Sequence, residues 1–231
     1  MSHYGNITAD DLEARLARHL QHRLGAWPPS GGIEVIASEN RDLPEWDGVV
    51  RPIAGVETPD GMVLSVPPAL AKEVVELASH GLAVLSQEIG AVFGEAGTPL
   101  GRGTFRFIDR LVDLEELGEW VETDDPRLPS WLRPFNGGIL IACDNRDRYM
   151  AGVGVKRHDE FGSEIAVGTE PEFRGRGLAR RLVATAARYL VGAGVTVTYE
   201  HALDNASSGA VALAAGFPDR GWQAIHLGNE E

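Results

Sequence analysis

The clearest pattern in the chain is a change of hydrophobic period near residue 170. Apolar residues alternate with polar ones at Ile165 and Val167, which is the period of a β-strand, and a turn follows at residues 170–172. From Leu178 to Leu190 the apolar residues recur every three or four positions, which predicts an α-helix with one buried face. Residues 164–190 are therefore predicted to form a strand, a glycine turn and a helix.

The turn between this strand and this helix is rich in glycine and arginine. Four arginines and no acidic residue lie between Arg174 and Arg181. The helix begins inside the loop, so its unpaired backbone N–H groups and the positive end of its dipole face outward. Because Gly175 and Gly177 have no Cβ, a diphosphate can lie directly against the main chain. The pattern predicts an anion-binding loop.

Other interpretations compete for this loop. A dinucleotide-binding G-x-G-x-x-G turn needs a small third residue where this chain has Arg180, although Glu200 could supply its acidic residue about 20 positions further on. We reject that motif on packing grounds. A P-loop is excluded because no G-x-x-x-x-G-K-S/T occurs. A helix start that binds nothing is the remaining alternative for the loop taken alone.

Two motifs together resemble the GNAT superfamily of N-acetyltransferases. Residues 174–179 match its coenzyme A signature, R-x-x-G-x-A, and Asn205 opens a second signature that ends at Gly216 and Phe217. The resemblance runs from about Gly103 to the C-terminus. It implies a mixed α/β, acyl-CoA N-acyltransferase-like fold, in which helices flank a mostly antiparallel sheet, and an acetyl-CoA-dependent N-acetyltransferase.

The resemblance also implies how the coenzyme is held. Two neighbouring parallel strands, residues 164–169 and 195–200, are expected to splay apart, so that the backbone of the first pairs with the pantetheine arm. The loop is expected to hold the pyrophosphate, and the residues after the second strand to line the arm. The coenzyme-binding residues implied are Val167, Thr169, Arg174, Gly175, Arg176, Gly177, Leu178, Ala179, Asn205 and Ser208.

The reaction that the resemblance implies is direct attack of an amine on the thioester of acetyl-CoA, without a covalent enzyme intermediate. The attacking amine must first lose a proton. Glu164, on the strand that leads to the loop, is our first candidate for the base, and Glu200 and His201 at the end of the partner strand are the alternatives. A solvated acid at a strand end is an equally simple interpretation of Glu164.

One position departs from the family's pattern. Many members carry a tyrosine seven residues after the motif asparagine, where it protonates the departing thiolate, and this chain has Ala212 there. Ser208 or Tyr199 could protonate the thiolate instead. Because a thiol has a pKa of about 8 to 9, the thiolate could also leave without a side-chain acid. The alternative functions are a non-catalytic acyl-CoA-binding regulatory or structural module and a structural protein with a vestigial loop.

Composition narrows the partners and the compartment. The net charge of −13 repels nucleic acids and anionic membrane surfaces, which argues against them as partners. It attracts a cationic acceptor, such as an amine on a small molecule or a protein. The single cysteine, Cys143, excludes a disulfide framework, and His19 and His22 suggest no third ligand, so no metal site is predicted. Without a signal-like N-terminus or an apolar stretch of 18 residues, we expect a cytoplasmic protein.

The chain is expected to divide near residue 100, where glycines and prolines cluster. Residues 1–100 are predicted to form an additional α/β region, and residues 101–231 the acetyltransferase core. The N-terminal region is expected to be a pocket wall, a homodimer contact or a degenerate half-copy of the core, and it could supply a strand that the core lacks. The predicted helices cover residues 8–24, 70–92 (broken at Gly81), 111–121, 178–190 and a short segment after Asn205, and the predicted strands cover residues 33–37, 62–64, 104–108, 138–143, 149–156, 164–169, 195–200 and 222–227.

Overall fold

The computed structural model of the protein describes residues 7–228. Its helices and strands, in chain order, are α1 (Ala9–Leu24), β1 (Ile33–Ala37), β2 (Ala54–Thr58), β3 (Gly61–Val66), α2 (Ala71–Ser79), α3 (Leu82–Val92), β4 (Leu100–Phe107), β5 (Glu119–Val121), β6 (Ile139–Cys143), β7 (Tyr149–Arg157), β8 (Gly162–Thr169), α4 (Leu178–Gly192), β9 (Thr196–Ala202), α5 (Ala206–Ala214) and β10 (Gln223–Leu227). This confirms the predicted mixed α/β class. None of the helices in the described range has the length and hydrophobicity needed to cross a bilayer.

The chain groups into two compact units. Among the described residues, the first unit comprises residues 7–16, Arg106–Glu200 and Asn205–Asp219, and the second comprises Ala17–Phe105, His201–Asp204 and residues 220–228. The grouping changes inside β4, close to the predicted boundary at residue 100. It differs from the prediction at the ends of the described chain, because the start of α1 groups with the first unit and β10 with the second.

In the second unit, the strands lie in the order β1, β3, β2, β10, β4. β1 and β3 are parallel, and the other neighbours are antiparallel. β2 was not predicted; it forms a hairpin with β3 through the turn before Gly61, and it pairs with β10. The N-terminal region therefore supplies a strand next to the last strand, as expected. Helices α2 and α3, separated at Gly81, contribute Val74, Leu85 and Ile89 to this unit's core.

In the first unit, the strands lie in the order β9, β8, β7, β6, β5. Neighbours from β5 to β8 are antiparallel, whereas β8 and β9 are parallel. The apolar face of α4, including Leu182, Val183 and Leu190, is buried in one core with Ile165 of β8 and Val197 of β9. The apolar residues that recur every three or four positions in α4 therefore form the face that packs against the sheet.

The predicted helix over residues 111–121 is wrong. Residues 111–118 form no regular element, and β5 follows at once. The leucines at three-residue spacing still pack on the core, but arginines of α4 satisfy the backbone carbonyls: Arg188 Nη1 donates to Val112 O at 2.8 Å, and Arg181 Nε donates to Glu115 O at 3.3 Å. Because these tertiary hydrogen bonds replace those of a helix, the local pattern misled the prediction.

Candidate functional site

A cavity of about 810 Å³ lies beside the end of β8, the loop after it and the first turns of α4 and α5. Its volume falls within the range of roughly 300–1,000 Å³ that is usual for small-molecule sites. All ten residues that the sequence singled out for coenzyme binding line it: Val167, Thr169, Arg174, Gly175, Arg176, Gly177, Leu178, Ala179, Asn205 and Ser208. Tyr199, which the sequence offered as a possible acid and not as a coenzyme ligand, also lines it. Sequence reasoning did not single out the other lining residues for coenzyme binding: Gly168, Phe173, Arg180, Ser207, Ala210, Val211 and Ala214.

The floor of the cavity is the exposed N-terminus of α4. Gly177 is its N-cap residue, with a φ of 74°, and no side chain caps the helix. A Cβ on Gly175 would meet no atom within 4 Å, and the atoms nearest to one on Gly177 would be those of the Arg180 guanidinium. The first residues of the helix therefore border the cavity, where the positive end of the dipole favours an anion.

Arginine side chains surround this floor. Arg174, Arg176 and Arg180 line the cavity, whereas Arg181 hydrogen-bonds to carbonyls of residues 115–116. Arg174 Nε donates to Thr169 O at 3.3 Å, and the Arg176 guanidinium lies 5.1 Å from the centre of the Phe173 ring. Three cationic groups are thus held beside a helix N-terminus, an arrangement that suits a diphosphate.

One wall of the cavity is an unpaired strand edge. The parallel pairing of β8 with β9 covers three residue pairs and ends at Glu164 and Thr198, although β8 continues to Thr169. Beyond that point β7 still pairs with β8 on the other edge. The main chain near Val167 and Thr169 therefore lies between β7 and the cavity, and its second edge is open to an extended ligand.

The opposite wall is the first turn of α5, which Asn205 caps. The Asn205 Oδ1 atom accepts hydrogen bonds from the Ser208 backbone N–H at 3.0 Å and from Ser207 Oγ at 2.9 Å. Ser208 Oγ in turn lies 2.8 Å from the Tyr199 hydroxyl. The asparagine of the second motif therefore has a structural role, because it fixes the turn that presents Ser207 and Ser208 to the cavity.

Glu164 lies at the residue pair where the two strands separate, in a cluster of charged side chains. Its Oε1 is 2.6 Å from Lys156 Nζ, and its Oε2 is 3.5 Å from His158 Nε2. Burial by itself raises the pKa of Glu164, but Lys156 and His158 outweigh it and hold the pKa well below its usual value. The carboxylate is therefore ionised at neutral pH, and its ion pair reduces its basicity.

None of the three base candidates, Glu164, Glu200 and His201, is among the residues that line the cavity. His201 groups with the second unit, and its Nδ1 lies 2.8 Å from the carbonyl oxygen of Ala202. Glu200 is partly exposed at the end of the first unit's part of β9. Of the three candidates, only Glu164 lies at the last paired position before the splay.

Replacing Lys156 with methionine should destabilise the fold in a pH-dependent way. The pair is largely buried, so at pH 7 we expect a loss of about 2 kcal/mol in the free energy of unfolding. The pKa of Glu164 is lower in the folded chain than in the unfolded chain, where it has its ordinary value of 4.5. The ion pair therefore stabilises the fold at a pH above 4.5, and this stabilisation is lost progressively as the pH falls below 4.5. Urea unfolding at several pH values measures both effects.

The matched control is Arg157→Met, since Arg157 is the next residue and is exposed. It should change the free energy of unfolding by less than about 0.5 kcal/mol. The difference between wild type and Lys156→Met should shrink in acid, and a difference that is the same at pH 3 and pH 7 would contradict the ion-pair account.

Comparisons with known proteins give one family match and similarities to solved structures. A family model for the acetyltransferase (GNAT) family matches residues 105–217. A solved GNAT-family acetyltransferase from Colwellia psychrerythraea aligns at 14% identity with a TM-score of 0.51, covering 72% of this chain and 76% of that one. Another from Novosphingobium aromaticivorans aligns at 24% identity with a TM-score of 0.47, covering 57% of this chain and 66% of that one, just under two thirds of its length. A comparison with curated proteins gives no match.

The family match contains the whole cavity. It spans β8, the glycine loop, α4 and α5, and every lining residue lies between positions 167 and 214. The Colwellia similarity supports the predicted acyl-CoA N-acyltransferase-like fold. Residues 105–217 therefore belong to the acetyltransferase (GNAT) family, which makes this part of the chain an acyltransferase domain.

Proposed function

We propose that the protein transfers an acetyl group from acetyl-CoA to an amine of a small molecule or a protein. The observation that carries this proposal is that one cavity joins three features: the uncapped N-terminus of α4, three arginines and an open edge of β8. A diphosphate attached to an extended amide-containing arm needs these features together. A phosphate site alone would not need the strand edge.

The donor is expected to bind along the cavity in one direction. Its pyrophosphate lies on the amides of residues 175–179, with Arg174 and Arg176 beside it. Its pantetheine arm lies between β8 and α5, paired with the main chain of Val167 and Thr169 and lined by Ser208. The thioester then reaches the point where β8 and β9 separate.

The acceptor is expected to approach Glu164, at that same point. Its carboxylate is ionised, so it attracts an ammonium group, and the overall charge of −13 attracts cations at long range. Once Glu164 or a water that it holds takes the ammonium proton, the neutral amine attacks the thioester carbonyl directly. Because Lys156 reduces the basicity of Glu164, we expect this proton transfer to contribute modestly.

The second candidate function is a module that binds acyl-CoA without catalysis. It is favoured by Ala212, which is fully buried and has no group to protonate a leaving thiolate. In that case the cavity and its affinity for CoA are kept, and no transfer occurs.

Calorimetric titration with CoA tests the donor site. We expect the wild-type protein to bind CoA and Arg174→Ala to bind about tenfold more weakly, because one charge-assisted contact with phosphate is lost. Arg146→Ala is the control: Arg146 is also exposed but lies in the turn between β6 and β7. Absence of binding in the wild type would contradict both candidate functions.

Release of the CoA thiol from acetyl-CoA in the presence of a broad panel of amines separates the two functions. Transfer predicts acceptor-dependent release, whereas the binding module predicts none. Glu164→Gln should lower kcat/KM about tenfold, which is less than the roughly 100- to 10,000-fold usual for acid–base groups, because the ion pair with Lys156 reduces its basicity. The exposed Glu160, in the turn after β7, offers the control Glu160→Gln. An unchanged rate in Glu164→Gln would refute the base assignment and leave the transfer itself intact.

A further inference from the structure

Two hydroxyl groups meet in the wall of the cavity close to the splay. Tyr199 is the first residue of β9 after Thr198, the last residue that pairs with β8. Its hydroxyl lies 2.8 Å from Ser208 Oγ, and both residues line the cavity. The main chain of Tyr199 therefore lies where the open edges of the two strands begin, which is where the proposed function puts the thioester, and its hydroxyl lies beside Ser208 in the wall of the same cavity.

The chemistry at this point needs a proton donor. When an amine replaces the thiol, the carbon–sulfur bond breaks and the electron pair goes to sulfur. A donor beside the sulfur assists this step. Ala212 stands where many family members have a tyrosine, and its methyl group cannot donate a proton. It is buried in the same core as Tyr199. The tyrosine of β9 occupies the core into which a side chain at position 212 points.

We propose that Tyr199 is the general acid of this enzyme and protonates the leaving sulfur of CoA, and that Ser208 is the residue that positions it and returns its proton. This inference rests on the proposed transfer reaction. It places the acid on β9 and not on α5. The reaction needs no further reagent beyond the acetyl donor, the amine and water.

The protons and electrons balance as follows. The amine nitrogen forms a bond to the carbonyl carbon, the carbon–sulfur bond breaks, and the Tyr199 O–H proton goes to the sulfur, so that CoA leaves as a thiol. The phenolate that remains accepts a hydrogen bond from Ser208 Oγ–H and regains its proton from water through Ser208. The proton that the amine loses passes to the base described above.

The surroundings of Tyr199 suit this role. Burial raises the pKa of Tyr199, and the hydrogen bond with Ser208 and the charge of Arg106 only partly offset that, so the group is a protonated phenol at neutral pH. The Arg106 guanidinium is held in place by Phe217 O at 3.2 Å and by Asp219 at 3.0 Å. The same charge stabilises a transient phenolate. The ring is fixed by Phe217, with ring centres 5.8 Å apart.

The first test compares Tyr199→Phe with wild type in CoA-thiol release. The substitution keeps the ring and its packing and removes only the hydroxyl. We expect kcat to fall about tenfold, less than for most general acids because a thiolate leaves fairly well unaided, with CoA affinity changed less than twofold. Tyr189→Phe is the matched control, since Tyr189 is 57% exposed on α4. Ser208→Ala should have a smaller effect than Tyr199→Phe.

The second test needs no acceptor. A hydrogen bond from Tyr199 to the sulfur stabilises the thiolate, so it lowers the pKa of bound CoA thiol, which ultraviolet absorbance of the thiolate measures in the complex. We expect that pKa to be about one unit higher in Tyr199→Phe than in wild type or Tyr189→Phe. Equal thiol pKa values overturn the assignment of Tyr199 and leave the proposed function standing. A wild type that does not bind CoA overturns both.

Discussion

Replacing Gly177 with glutamate is expected to weaken CoA binding by at least about a hundredfold, or roughly 2.7 kcal/mol. The new carboxylate lies at the uncapped N-terminus of α4, where it competes with the pyrophosphate for the same amides and repels it. The left-handed backbone of this position, with a φ of 74°, adds strain of about 1–2 kcal/mol for any side chain. Calorimetric titration with CoA measures the affinity.

Gly194→Glu is the control that separates ligand competition from backbone strain. Gly194 follows the other end of α4 with a φ of 88°, and a Cβ there would meet no atom within 4 Å. This variant should lose about 1–2 kcal/mol of stability and keep its CoA affinity within about twofold. If both variants bind CoA equally, whether well or badly, the N-terminus of α4 is not the phosphate site.

Replacing Gly216 with alanine should be the most destabilising change proposed for the first unit, at about 3–4 kcal/mol. Gly216 ends α5 with a φ of 97°, and a Cβ there would lie 2.4 Å from the backbone oxygen of Arg110. The Gly216 carbonyl also accepts a hydrogen bond from the Asp109 N–H at 3.2 Å. Since backbone meets backbone on both sides, no rotamer change relieves the clash. Urea unfolding measures the loss.

Gly194→Ala is the matched control for this change as well. Both glycines follow the last turn of a helix with a positive φ, but only Gly216 is packed against neighbouring backbone. Gly194→Ala should therefore cost only the left-handed strain, about 1–2 kcal/mol. Equal losses in the two variants would show that the close approach to Arg110 has no energetic consequence.

Much of the first unit could be predicted because its signals are local. The period-2 and period-3.6 patterns place β8 and α4, Asn205 provides the cap of α5, and the turn at residues 144–147 places the hairpin of β6 and β7. The helix expected over residues 111–121 failed since its determinants are not local: arginines of α4 bind that segment's carbonyls. β2 also escaped notice, although its hairpin with β3 is local; only its other pairing, with β10, joins residues distant in the chain.

The candidate site divides in the same way. The glycine loop and the α5 cap each consist of consecutive residues, so the sequence alone predicts them. Three facts depended on the fold: that Tyr199 comes to Ser208, that Lys156 and His158 flank Glu164, and that Arg181 hydrogen-bonds to residues 115–116, unlike the three arginines that line the cavity.

The sequence by itself determined where a helix begins, which residues lack a Cβ and where positive charge concentrates, because these properties follow from neighbours along the chain. The tertiary structure decided which of those features share one cavity and how each ionisable group is paired. Proton affinity and accessibility depend on contacts between elements that are distant in the chain or set by pairing. Strand register brings Lys156 of β7 to Glu164 of β8, and the packing of α5 on β9 brings Ser208 to Tyr199.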